Sequence, residues 1–214
     1  RLNLLNKKDK ICCEFGAWDG KHGSNTFNLI KKYNFNGVYI EGDERRFLLL
    51  KKLKKEYSKI VCFNKYISHK RNSPNLLDKI LLKTSIKKNF EILSIDIDSY
   101  DLDVWKSVKR YKPTIVIIEI NSGFKPGIYK THTKSKQGNS FSSTLKVAEK
   151  KGYKLVAHTG NCIFVKKNLI KKIKIPWSYI KNPDFLFDYS WLGKKEHLFK
   201  IIAKTLLPFP LIEK

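Results

Sequence analysis

The sequence predicts an α/β fold: a mostly parallel, seven-stranded sheet with helices on both faces and a C-terminal antiparallel hairpin. Three observations carry this expectation. Apolar runs of strand length alternate with helix-length segments from residue 10 to about 165. Thr114–Ile118 is β-branched throughout, as suits a central parallel strand covered on both faces. His158-Thr-Gly-Asn161 supplies a hairpin turn between two final apolar runs.

The elements follow in order. Lys10–Phe15 is the first strand and ends in a glycine-containing loop. Asn25–Tyr33 reads as a helix with Ser24 as its N-cap, because a side-chain oxygen there can take an otherwise orphaned N–H. Gly37–Ile40 is the second strand. Asp43–Tyr57 is a basic amphipathic helix with Phe47, Leu50, Leu53 and Tyr57 near one face. Lys59–Phe63 is the third strand, and Asn75–Leu82 a helix after the turn signal Asn72-Ser73-Pro74. Glu91–Ile95 is the fourth strand and Leu102–Arg110 a short helix capped by Asp101. Thr114–Ile118 is the fifth. Residues 123–139 read as a long polar loop, a length that usually serves function. Ser140–Lys151 is a helix stopped by Gly152, and Tyr153–Ala157 and Cys162–Lys166 form the hairpin. This is a Rossmann-like arrangement, with the domain over 1–167. Residues 168–214 break the alternation with Trp177, Phe185, Phe187, Trp191 and Phe199 and then Pro208-Phe-Pro210. They read as an appendage packed on the domain or on a second subunit of a homodimer. Membrane-surface contact through His197–Ile212 is the weaker reading.

Composition narrows the classes. The chain has 214 residues, enough for one α/β domain with a core. It opens at Arg1 and contains no Met, which predicts a trimmed terminus. No apolar run has transmembrane length, and the first residues do not read as a signal peptide. Lys and Arg outnumber Asp and Glu by 44 to 19, a net charge of +25, which allows polyanion binding through a basic surface. Lysine spread over every helix face reads first as a solvated surface, because no basic run is interleaved with aromatics. Cys12, Cys13, Cys62 and Cys162 each lie in an apolar stretch and none has metal-site spacing. They read as small buried hydrophobes in a reducing, cytoplasmic setting.

The first strand runs into Glu14-Phe-Gly16-Ala-Trp-Asp-Gly20. Gly16 allows a sharp turn, and Gly20 is expected to let the chain approach a ligand closely. The third glycine and the short spacing of a pyrophosphate loop are missing. An acidic residue opens the loop instead, which would repel a diphosphate and suit the cationic end of a methionine moiety. That favours S-adenosylmethionine over NAD. Glu41, at the end of the second strand, is placed to take the ribose hydroxyls of a nucleoside.

Glu14-x-Gly16-x-x-x-Gly20, Glu41, Ile95-Asp96-Ile97-Asp98 and Ile118-Glu119-Ile120-Asn121 together resemble the FkbM-like group of class I methyltransferases over roughly residues 10–166. The resemblance implies S-adenosylmethionine contacts by Glu14, Gly16, Gly20 and Glu41, with Asn64 to Tyr66 near the adenine. Ala17, Asn25 and Asp96 are counted with this cofactor set. It also implies O-methylation of sugars or small metabolites. The group's Asp-x-Glu-Gly after strand four is Asp96-Ile-Asp98-Ser99 here.

A polar cluster is expected where strands four and five end. Parallel strands share their carboxyl edge, so Asp96, Asp98, Glu119 and Asn121 should meet there. In one reading Asp96, Asp98 or His158 is a general base for an acceptor hydroxyl. In another, Asp96, Asp98, Glu119 and Asn121 hold Mg²⁺ through hard oxygens. Asp101 and Asp103 are read as a cap and a solvated side chain. Lys125, Lys130 and Lys134 on loop 123–139 would attract an anionic acceptor. No nucleophile arrangement is present, which suits direct transfer. Competing functions are an RNA methyltransferase, a metal-dependent glycosyltransferase using Asp96-Ile-Asp98 as its DxD, and a basic binding module without activity.

Overall fold

The computed structural model describes residues 10–135 and 138–192. Its strands are β1 (Ile11–Phe15), β2 (Asn36–Glu41), β3 (Ile60–Asn64), β4 (Ile92–Ile95), β5 (Ile115–Glu119), β6 (Tyr153–His158) and β7 (Asn161–Lys166). Its α-helices are α1 (Phe27–Tyr33), α2 (Glu44–Glu56), α3 (Leu77–Leu81), α4 (Asp101–Ser107), α5 (Phe141–Lys150) and α6 (Trp177–Lys181). The strands form one seven-stranded sheet in the order β3-β2-β1-β4-β5-β7-β6. Strands β1 to β5 pair in parallel, and β7 runs antiparallel to both β5 and β6.

Alternation along each strand divides the apolar residues between two faces. Cys13, Phe15, Ile40 and Leu93 join Trp105, Phe141 and Phe164 in one cluster. Cys12, Tyr39, Ile60 and Val165 join Leu50 and Leu53 of α2 in the other. Adjacent Cys12 and Cys13 thus serve opposite faces. Burial pushes the Cys12 thiol up to about 12 and Cys62 up to about 11, so these side chains act as hydrophobes.

The elements begin and end where side chains divert the backbone. Helix α1 starts two residues later than expected. The Ser24 hydroxyl still accepts from Phe27 N–H (3.0 Å), but Ser24, Asn25 and Thr26 are drawn to Glu14. Asp43 and Ser140 cap α2 and α5 through Arg46 N–H (2.9 Å) and Ser143 N–H (3.3 Å). Helix α4 ends at Ser107 and not at Arg110. Asp78 Oδ2 accepts the N–H groups of Lys109 and Arg110 (2.8 and 2.9 Å) and pulls that stretch off the helix axis.

Past β7 the chain packs back on the sheet as far as residue 192. It forms 3₁₀ turns at Lys167–Lys172, Pro183–Leu186 and Tyr189–Leu192 around α6. Ile170 and Ile180 enter one core cluster and Phe187 the other. The segment His197–Ile212, with Phe199 and the two prolines, lies outside the described residues. Among the described residues no helix is long and apolar enough to cross a membrane.

Candidate functional site

The chain leaves β1 toward β2 on one side, and β4 lies on the other. In open α/β sheets this reversal opens a crevice at the carboxyl ends of the strands. A cavity of about 530 Å³ occupies that position, with walls that include Glu14, Gly16, Ala17, Glu41, Tyr66 and Asp96.

Glu14 lines it from β1. It is almost fully buried, and its carboxylate accepts from Asn25 N–H (3.0 Å), Ser24 Oγ (2.7 Å) and Thr26 Oγ1. Burial raises its pKa; those hydrogen bonds offset part of the rise, and nearby Asp96 adds to it. A buried carboxylate in this state gains from a cation beside it. Glu41 lines it from the last position of β2. Its two oxygens accept from Trp18 N–H and Asp43 N–H, both at 2.8 Å, and each keeps a lone pair for a ligand hydroxyl.

The two glycines of the loop act differently. Gly16 has φ +73°, and a Cβ there would lie 1.5 Å from the Asp96 carbonyl oxygen. It lets the loop cross β4 at the cavity wall. Gly20 has φ +77°, and its Cβ would meet Leu53 and Leu50 of α2 at 2.5 and 2.8 Å. It is absent from the cavity lining. Gly20 thus seats the loop on α2.

Asn25 and Asn64 also stand behind the wall. Asn25 Nδ2 donates to Ser94 Oγ (3.1 Å) and Asp96 Oδ2 (3.4 Å), and its Oδ1 accepts from Asn161 (3.3 Å). Asn64 Nδ2 donates to the carbonyls of Glu41 and Gly42 (3.0 and 3.2 Å), which fixes the end of β2. Tyr66 lies on the wall, its ring against Gly42, where a Cβ would lie 2.3 Å away. The sequence reading missed Gly42, Trp18 and Arg46, which also line the cavity. Trp18 holds φ +48° with the Arg46 guanidinium 5.1 Å over its ring. The signal in the sequence was Gly42, wedged between Glu41 and the cap Asp43.

Asp96, Asp98 and Glu119 do meet. Each offers a carboxylate oxygen within 4.8 Å of the others. Asp98 sits at φ +58°, and its N–H donates to Glu119 Oε2 at 3.2 Å. Asp101 sets this geometry. It is the first residue of α4 and not its cap, and its buried carboxylate accepts from Ile97 N–H (2.8 Å) and Ser99 N–H (2.9 Å). Burial pushes Asp101 up to about 6. Burial and then the charges of Asp96, Asp101 and Asp98 push Glu119 up to about 8. Asp96 is also raised, by burial and by Asp98, while a hydrogen bond with Glu119 works against the rise. Carboxylates this close resist ionising together, so Asp96 and Glu119 titrate as a pair with a shared proton.

Asn121 Oδ1 accepts from Gly123 N–H (3.0 Å) within its own loop. His158 is buried behind the site. Its Nδ1 accepts from Asp188 N–H (2.8 Å), and Nε2 lies 2.9 Å from Ser122 Oγ. That hydroxyl in turn donates to the Gly160 carbonyl. Its ring stacks on Phe187 at 4.7 Å, so it pins the C-terminal segment to the sheet. Lys125, Lys130 and Lys134 are exposed and line no part of the cavity. Loop 123–139 is stapled: Ser140 N–H and Lys130 N–H bond across it (3.0 and 2.9 Å), and Gly127 N–H reaches Ser142 (2.8 Å). The loop's His132 packs on Tyr100 at 4.4 Å, and Tyr100 meets His69 at 4.7 Å.

No protein-family model matches the chain, and no curated protein matches it. Solved structures do. TrmK of M. capricolum in complex with S-adenosylhomocysteine aligns at a TM-score of 0.53 with 13% identity, over 98% of this chain and 85% of that one. An O-methyltransferase family protein from Burkholderia thailandensis aligns at 0.50 with 11% identity, over 77% and 52%. Methyltransferase FkbM from Methylobacillus flagellatus KT aligns at 0.50 with 17% identity, over 73% and 43%. The chain spans about half the length of these last two. The fold is thus the Rossmann-like fold of S-adenosylmethionine-dependent methyltransferases. Methyltransferase FkbM stands among its structural neighbours.

Proposed function

We propose that this chain is an S-adenosylmethionine-dependent methyltransferase acting on a hydroxyl of a neutral small molecule or glycan. The carrying observation is one cavity at the carboxyl ends of the strands, lined by the buried carboxylates Glu14 and Glu41 and by Asp96 and Asp98, with Glu119 beside them. The residues fit the cofactor. Glu14 suits its cationic methionine end, Glu41 its ribose hydroxyls, and Tyr66 with Ile67 and Ile97 its base. When bound, it supplies an electrophilic methyl group on a sulfonium and leaves as the neutral thioether.

The chain's part is to position the acceptor and take its proton. Asp96 would take the proton of an acceptor hydroxyl held beside it. The carboxyl of Glu119 would hydrogen-bond Asp96 and hold it in place. Alignment of the two reactants accounts for most of the rate. Three carboxyl groups at the transfer point would repel a phosphate backbone, which favours a neutral acceptor over RNA.

A second reading has its own observation. The oxygens of Asp96, Asp98 and Glu119 are a hard donor set close enough for one Mg²⁺, which would lower the pKa of a bound hydroxyl. Activity that survives EDTA favours the proton-transfer reading, and activity restored only by Mg²⁺ favours the metal.

The test is binding first and chemistry second. S-adenosylhomocysteine should raise the melting temperature of the chain, and Glu41→Ala should remove that shift. Asp96→Ala should lose methyl transfer to a hydroxyl acceptor by roughly 10²–10⁴-fold with the fold retained. A wild-type chain that binds neither form of the coenzyme at millimolar concentration ends the proposal.

A further inference from the structure

The edge of the sheet opposite the cofactor cavity gathers cations. Helices α4 and α5 run back from the carboxyl ends of the strands, so they finish where β5 and β6 begin. There a hollow of about 240 Å³ opens, several times the ~30 Å³ of one water. Lys109, Lys112, Lys150 and Lys151 line it with Trp105 and Tyr153, and no carboxylate does.

The acids of this edge lie outside the lining, and Asp78 is the one whose charge reaches Lys151. Asp78 Oδ2 holds the backbone N–H groups of Lys109 and Arg110. Glu149 pairs with Lys154 at 3.0 Å, and Glu91 accepts from Ile11 N–H at 3.0 Å. Lys151 Nζ donates to the Val108 carbonyl at the end of α4 (2.7 Å), which fixes its ammonium group half-buried at the hollow. Burial and the charge of Lys109 push Lys151 down to about 8, with Asp78 opposing. Lys166 is lowered by burial and by Lys112.

Lysines at helix C-termini commonly answer the helix dipole. Two helix ends carry roughly −0.5 charge each and Asp78 a full one, about −2 together, against four lysines here. The remaining positive charge can take another anion. The lysines surround a hollow, and one ammonium group is held half-buried at its wall.

We propose that this hollow binds a phosphate-bearing anion, as a free phosphate ester or as a lipid head group. Planar carboxylates would be satisfied better by arginine, whereas a phosphate takes lysines as point charges from several directions. The site lies on the far edge of the sheet from the methyl-transfer cavity and stands or falls independently of it.

The experiment is calorimetry of the full chain with inorganic pyrophosphate at pH 8 in two buffers of different ionisation heat. The expected result is saturable binding with the same affinity in both buffers. The exposed triple variant Lys109→Gln/Lys112→Gln/Lys150→Gln should weaken binding by at least about tenfold. The control Lys51→Gln/Lys52→Gln/Lys55→Gln removes equal charge from α2 and should bind as the wild type does. Circular dichroism checks that both variants are folded. A second arm floats the protein with phosphatidylcholine vesicles, with and without an anionic phospholipid. Vesicle binding with the same variant pattern, without pyrophosphate binding, assigns the hollow to a head group. Failure of both arms, or an equal loss in the control, overturns the proposal.

Discussion

At the scale of single residues, the site is a set of carboxylates that differ in what surrounds them. Glu41 keeps two backbone donors at 2.8 Å, while Glu119 has one backbone donor at 3.2 Å and three acidic neighbours. Burial and that acidic company push Glu119 up to about 8. Glu119→Gln tests this. A glutamine amide can donate to Asp96 as protonated Glu119 does, so the variant should keep methyl transfer within about tenfold of wild type. Glu119→Ala should cost more, roughly 10²-fold, because Asp96 then lacks its donor. Equal loss in both variants would assign the ionised form of Glu119 to the reaction, as the Mg²⁺ reading requires.

At the scale of elements, loop geometry decides more than helix or strand propensity does. The turn after β1 crosses the Asp96 backbone, and only a residue without a Cβ fits there. Gly16→Ala should destabilise by roughly 2–5 kcal/mol through overpacking and the left-handed φ. It should also abolish the thermal shift with S-adenosylhomocysteine. Gly20→Ala meets two leucine side chains and a tyrosine ring edge, so it should cost about 2–3 kcal/mol. Coenzyme affinity at a temperature where that variant is folded should be unchanged. A shared loss of affinity would return Gly20 to the ligand wall. The sequence made both glycines look alike, because spacing records where a glycine is and not what its missing Cβ would touch.

At the scale of the whole molecule, buried acids set the pH dependence of stability. Asp101 moves from 3.8 to about 6 and Glu119 from 4.5 to about 8 on folding. Between these limits the folded chain holds protons that the unfolded chain has released, so stability falls as pH rises. The melting temperature should decline from about pH 5 to pH 8, and less steeply in Glu119→Gln. Lys151 acts in the opposite sense above pH 8: its pKa falls on folding from 10.5 to about 8, so the unfolded chain then holds the extra proton and stability recovers as pH rises. A melting temperature that climbs steadily from pH 5 to pH 8 would contradict the burial of these carboxylates.

The order of strands and helices, the seven-stranded sheet, the acidic loop after β1 and the convergence of Asp96, Asp98 and Glu119 were legible in the sequence. They follow from local periodicity and from one rule, that parallel strands share a carboxyl edge. What a side chain does once it arrives there is decided by neighbours far away in the chain. Asn121 turns into its own loop, His158 is consumed by Ser122 and the backbone of Asp188, and Lys125, Lys130 and Lys134 stay in solvent. The hollow among Lys109, Lys112, Lys150 and Lys151 exists because α4 and α5 end at the same place. Sequence alone determined which elements form, since hydrophobic period and turn chemistry are local. Only the tertiary structure decided which polar groups are buried, paired or aimed at a ligand, since desolvation and hydrogen bonding depend on residues brought together by folding.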